Sequence, residues 1–253
     1  MNRSKSTMTI FKNLFMESFK LFNRNNYEII LLATIPFTAN SILYLYFSNI
    51  SLETLPDIHP AILFILGFLF ILTQLVIYPI VIYMVKEDQL GHFISAKKGF
   101  VSIKNKLPSL SLALLLYTGL MFLIGIASIV LISFYGSSLI FVGFISIVVT
   151  VTSMKLLIDF LFYQQEIIIK NKNPIQGFKN SRNRTKIAWW RIFYLYLLLD
   201  LVILLILNLL SPFIGLVQNH LLSSILLGFI QALGSIFTQI FITLMFIKLE
   251  QDS

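Results

Sequence analysis

The sequence predicts an all-α membrane protein: a polytopic bundle of six transmembrane helices, built as three repeats of an interfacial amphipathic helix followed by a helical hairpin. Three observations predict it. Of the 253 residues, 57% are hydrophobic and only 12% charged, where a soluble domain carries about one quarter charged. The mean hydropathy of +0.87 calls for lipid as solvent. The cations fall almost entirely into the links on one side of the apolar runs.

In chain order, residues 1–26 form a cytoplasmic or interfacial amphipathic segment. Phe11, Leu14, Phe15, Ser18, Phe19 and Phe22 share one helical face, and Lys12, Lys20 and Arg24 fall elsewhere. That periodicity suits a helix lying in the interface or packed on the protein's own cytoplasmic side. A six-span domain over residues 27–249 follows, with runs at about 27–47, 61–85, 107–134, 139–163, 189–210 and 221–249, and residues 250–253 form a short tail. Each run meets the requirement of about 20 residues for a span. Pro36 is expected to kink the first. Phe134–Ser137 and Ser211–Gly215 read as tight turns within hairpins.

Charge sets the expected orientation. Five Lys or Arg precede the first run. Five lie between the second and third, seven between the fourth and fifth, and Lys248 sits near the end. Of 19, only Lys155 is left over. The positive-inside rule therefore predicts both termini and all basic links in the cytoplasm, with the chain in the plasma membrane.

The basic links also carry the repeat. Phe19, Phe100 and Phe178 are spaced by 81 and 78 residues. After three further residues come Asn23-Arg24-Asn25, Lys104-Asn105-Lys106 and Arg182-Asn183-Arg184, each shortly before a span. Parallel internal repeats recur in membrane proteins.

Charges within a bilayer call for a functional reading. Lys155 and Asp159 share a helical face at i, i+4 spacing. Asp200 lies mid-way along the fifth run. At 1.5 Å per residue, Lys155 and Asp200 are each expected ~15 Å deep, and a Lys155–Asp200 or Lys155–Asp159 pair is expected to face the bundle interior as an internally satisfied structural ion pair, with an ion or proton path as the sharper alternative. Gln74, Asn208, Gln231 and Gln239 are further intramembrane polar groups, for which interhelical hydrogen bonding is the ordinary role. Gly119, Gly125, Gly228 and Gly234 are expected to permit close helix contact. Lys20, Arg24, Lys104, Lys106, Lys179, Arg182, Arg184 and Lys186, with Trp189 and Trp190 as an aromatic anchor, are expected to meet anionic lipid headgroups.

The catalytic search is negative. There is no Cys, and therefore no disulfide or thiolate. His59, His92 and His220 lack metal-ligand spacing, and no HExxH, GxSxG or glycine-rich phosphate loop occurs. No cofactor or metal is expected, no enzymatic activity, and no nucleic-acid partner, since the cations are membrane-adjacent.

The segment 167–193, IIIKNKNPIQGFKNSRNRTKIAWWRIF, resembles the membrane region ahead of the catalytic domain in some bacterial glycerophosphodiester phosphodiesterases, and its stand-alone multi-pass relatives of unknown function. Pro174, Ile175, Gly177, Lys179, Ser181, Thr185, Lys186 and Trp190 match the pattern, with Gly177 in place of the expected Ala. The resemblance implies a prokaryotic multi-pass protein. No phosphodiesterase domain is present, so that activity does not carry over. The expected role is lipid-interacting and non-enzymatic, in membrane or envelope homeostasis. The alternative is the permease subunit of an ABC-type exporter, partnered by a separate ATPase docking near residues 95–106. A second copy of the chain, in a homo-oligomer, is the other partner expected.

Overall fold

A computed structural model of the chain describes residues 6–47, 60–135, 139–215 and 220–251. All secondary structure among the described residues is helical. The elements are α1 (Thr7–Arg24), α2 (Asn26–Phe47), α3 (Pro60–Leu72), a π-helical turn (Thr73–Ile77), α4 (Tyr78–Gln89), α5 (Ala96–Ile103), α6 (Leu107–Tyr135), α7 (Leu139–Asp159), α8 (Tyr163–Lys170), α9 (Pro174–Ile187), α10 (Trp189–Gly215) and α11 (His220–Gln251). Five helical stretches are long and apolar enough to cross a membrane: Pro60–Gln89, Ala96–Phe134, Ile140–Lys170, Trp189–Leu210 and Leu221–Gln251. The first expected span coincides with α2, a 22-residue helix with Glu28 in its first turn. Short helices precede α2, α6 and α10, so the element order follows the expected repeat.

Two boundaries differ from expectation. The fourth run does not continue as one helix to residue 163: α7 stops at Asp159 and α8 starts at Tyr163. Ser211–Gly215 is the end of α10 and not a turn. A proline close to a helix end removes one hydrogen bond and leaves the remaining turns intact, so Pro212 is accommodated. The expected turn at Gly136 and Ser137 lies outside the described residues, as does His59.

The chain forms two compact units, Met1–Asn105 with Tyr194–Ser253, and Lys106–Phe193. In the first unit α11 is the central helix, packed by α2, α4 and α1. Its Ile240, Phe241, Leu244 and Phe246 are fully buried. The apolar face of α1 lies on it. The Phe11 ring is 5.7 Å from that of Phe241, and the Phe15 ring 5.2 Å from that of Phe237. The expected packing of this face on the protein itself is realised. Phe19, expected on the same face, is exposed. Ion pairs Arg24–Asp88 and Glu17–Lys248 tie α1 to α4 and α11. The Glu28 carboxylate accepts the Ala96 N–H at 2.8 Å, satisfying one of the orphan donors at the start of α5.

The repeat has a packing basis. The residue before each aligned phenylalanine is small and buried: Ser18, Gly99 and Gly177. A Cβ at Gly99 would stand 3.0 Å from Ile80 Cγ2, and one at Gly177 3.0 Å from Ile167 Cγ1. α5 and α9 therefore seat their glycines against a neighbouring helix.

The glycine expectations divide. A Cβ at Gly228 would meet Ser41 Oγ at 2.3 Å and Ser41 N at 2.8 Å, whereas nothing lies within 4 Å of one at Gly119 or Gly125. Gly228 is a close crossing of α2 and α11; Gly119 and Gly125 face open space. Replacing Gly228 by Leu must push backbone away, an overpacking cost of about 1–3 kcal/mol. Thermal unfolding in detergent should show a clear drop in Tm for Gly228→Leu and none for Gly119→Leu. Equal effects at both positions would refute the crossing.

Candidate functional site: a cationic, aromatic groove

The site lies in the second unit and begins with the break in the fourth apolar run. Leu161 and Tyr163 donate backwards by three residues, to Ile158 O and Phe160 O, each at 3.2 Å. That tightening leaves α-helical pairing unmet at Asp159 O and Phe162 N. One hydroxyl repairs both. Ser181 Oγ donates to Asp159 O at 2.9 Å and accepts from Phe162 N at 3.1 Å. Thr185 Oγ1 donates to Arg182 O at 3.1 Å and reaches Asp159 O at 3.5 Å. Ser181 and Thr185 are fully buried, as groups that satisfy buried backbone must be.

Past the break, α8 is buried along most of its length, from Tyr163 to Ile168. Its Glu166 is 2% exposed and accepts from Arg184 Nε at 3.1 Å and Nη2 at 3.0 Å. The Lys106 ammonium donates to Ile168 O, where a cation suits the carbonyl end of a helix. The sequence Asn171-Lys172-Asn173-Pro174 then makes the corner. Asn171 adopts the left-handed conformation (φ 54°), Lys172 N closes back on Glu166 O at 3.2 Å, Asn173 caps α9 by accepting from Gln176 N at 2.8 Å, and Pro174 opens it. Asn at the C-cap, Asn at the N-cap and Pro at the first helical turn are each favoured there. The absence of a Cβ at Gly177 lets α9 approach Tyr163 and Ile167 closely.

This seating lays α9 across the end of α7 and opens a groove of about 1160 Å³. Lys155 and Asp159 come from α7, and Lys179, Arg182 and Lys186 from α9. Trp189, Trp190 and Phe193 close one wall, and Val151, Met154, Phe160 and Phe178 add apolar surface. Trp189 stacks on Phe193 at 5.3 Å between centroids and meets Trp190 edge-on at 4.9 Å. The indole N–H of Trp189 is buried without an acceptor. Four cations thus face one carboxylate. Asp159 is 5% exposed, and its Oδ2 lies 3.3 Å from Lys155 Nζ and 3.8 Å from Arg182 Nε. Both cationic side chains remain more than half exposed, at 59% and 64%.

Residues 29–249 match the model of a family described as a domain of unknown function, DUF7847. The chain belongs to that family. No curated protein and no solved structure matches it. Within this DUF7847 chain, the expected site residues separate into groups. Lys155, Asp159, Lys179, Arg182, Lys186, Trp189 and Trp190 converge on the groove. Arg184 and Lys106 do not: they hold α8, as described above. Lys20 and Lys104 are exposed on α1 and on the turn after α5, and Arg24 is paired with Asp88.

Three expectations need correction. Lys155 is one turn from the end of α7, beside the basic link, because the helix breaks at Asp159; the estimate of ~15 Å depth took the run as continuous to residue 163. Asp200 does not face a bundle interior: it is on the exposed side of α10, hydrogen-bonded to Tyr196 one turn earlier. Asn208 makes no link between helices through its amide N–H, which returns to Leu204 O at 2.8 Å. Gln74 sits half-buried in the π-helical turn. Sequence reasoning left Glu166 without a role, although a lone acid among seven cations in the link was a visible signal.

Ser181→Ala removes the buried hydroxyl that accepts from Phe162 N and donates to Asp159 O, at a cost of about 1–3 kcal/mol. It should lower the unfolding midpoint, whereas Lys179→Ala, at an exposed position, should leave it unchanged. Matching stabilities for the two variants would remove the hydroxyl from the account.

Proposed function

We propose that this chain is a non-enzymatic, six-span protein of a prokaryotic plasma membrane that holds anionic lipid at its cytoplasmic face and serves membrane or envelope homeostasis. The observation that carries the reading is the groove: four cations and two tryptophans beside the apolar Val151, Met154, Phe160, Phe178 and Phe193, with Asp159 and Asn183 among them. Headgroup phosphate pairs with Lys and Arg, at about 1 kcal/mol per cation near an anionic surface. Tryptophan prefers the headgroup level, and the apolar wall suits the acyl region. The resemblance to the membrane region of glycerophosphodiester phosphodiesterases fits the same division. Of the matched residues, Gly177, Ser181 and Thr185 build the corner, and Lys179, Lys186 and Trp190 line the groove.

One observation favours a second reading. Around α5, Phe93, Phe100 and Val101 are 63%, 42% and 54% exposed, as a helix docking a separate ATPase would require. A permease subunit is the alternative function.

Native mass spectrometry after gentle purification decides between them. The lipid-holding reading expects anionic lipid retained through collisional activation that strips zwitterionic lipid, and no stoichiometric protein partner. A co-purifying ATPase, or a chain that retains no lipid, overturns it.

A further inference from the structure

The proposed function needs only that basic helices meet an anionic surface. The groove supports a more specific statement, which rests on that reading. We propose that the groove is a one-to-one site for an anionic phospholipid, in which the headgroup phosphate replaces the Asp159 carboxylate as the partner of Lys155 and Arg182.

The pairing geometry is the first argument. The two cations share one carboxylate oxygen at 3.3 and 3.8 Å, longer than the 2.7–2.9 Å typical of a tight charge-assisted bond. Arg184 is the contrast, since it holds Glu166 with two donors at 3.0 and 3.1 Å while 80% shielded from solvent. Lys155 and Arg182 are loosely held and open to a better anion. A phosphate offers several acceptor oxygens to cations converging from α7 and α9, with Lys186 one turn further along. Asp159 is the weaker, built-in occupant of the same place.

The groove wall is mixed in character, cationic and apolar together. A soluble phosphate has no use for Met154, Phe160 and Phe193, and a free acyl chain has none for four cations. An amphiphile carrying phosphate uses both. The volume of about 1160 Å³ exceeds the roughly 300–1,000 Å³ of small-ligand cavities, room for a headgroup with part of its chains. Asp159's backbone carbonyl holds the helix break, but its carboxylate does not, so the carboxylate is free to change partners without unfolding the corner.

Trp189 and Trp190 are the protein's two tryptophans, and both line the groove. Intrinsic fluorescence therefore reads this site directly. The purified full chain in phosphatidylcholine nanodiscs is titrated with brominated phosphatidylglycerol, and separately with brominated phosphatidylcholine. Saturable quenching at one phosphatidylglycerol per chain, well below the amount of phosphatidylcholine giving equal quenching, is expected. Arg182→Gln should weaken the apparent affinity about tenfold, as for a lost charge-assisted contact. Asp159→Asn should strengthen it several-fold, because the competing anion is gone. Ser181→Ala, compared at a temperature where circular dichroism shows it folded, separates loss of the corner from loss of the ligand. Glycerol phosphate as soluble competitor should not displace the lipid; displacement would assign the site to a free phosphate compound. Equal quenching by the two lipids would overturn the site while leaving general anionic-lipid retention intact. Weaker binding in folded Asp159→Asn would overturn the exchange of partners.

Discussion

One hydroxyl decides the shape of the second unit. The fourth apolar run cannot remain a single helix and also turn its end into the basic link. A break in a membrane-facing helix leaves backbone groups with no water to satisfy them. Ser181 supplies both missing partners, to Asp159 O and Phe162 N. It reaches them only because Gly177 allows α9 to lie close against α8. Everything functional in this unit follows from that seating. Lys155 and Asp159 end beside the basic helix, α8 is buried beneath it, and Lys179, Arg182 and Lys186 of α9 line the groove.

Environment then sorts residues of the same type into different work. Arg182 and Arg184 are two positions apart on α9, on different faces. Arg184 is largely shielded and bound to a buried carboxylate, a pair whose breaking would strand a charge. Arg182 is mostly exposed and only loosely tied. Lys106 and Lys179 divide in the same way: one caps a buried helix, and the other faces the groove. The positive-inside pattern counts these residues alike, while the fold uses half of them as structure.

Much of the architecture was legible before any coordinates. Helical class, long apolar segments, short helices ahead of α2, α6 and α10, and the alignment of Phe19, Phe100 and Phe178 rest on periodicity and composition, which sequence displays directly. What sequence obscured was depth. Ile167, Ile168 and Ile169 read as the start of a link because Lys170 and Lys172 follow, yet they belong to a helix folded under α9. The break ahead of that helix carries no Gly or Pro: Phe160, Leu161 and Phe162 are ordinary apolar residues, and their conformation is set by a serine about twenty residues away. Tertiary hydrogen bonding of that kind has no local signature. The same blindness put Asp200 in a bundle interior, since spacing along a helix gives its faces but not which face meets a neighbour.

The claim that most of this account depends on is that the break brings Lys155 to the basic end of its span. The sequence has no cysteine, so single cysteines can be placed without background. Labelling Lys155→Cys with a membrane-impermeant maleimide, in vesicles where Arg182→Cys is accessible, tests it directly. Lys155→Cys should react from that same side at a rate within a few-fold of Arg182→Cys, while Val148→Cys, two turns deeper on α7, stays protected. Protection of Lys155→Cys to the level of Val148→Cys would mean that the fourth run is one continuous span, and would remove the groove with it.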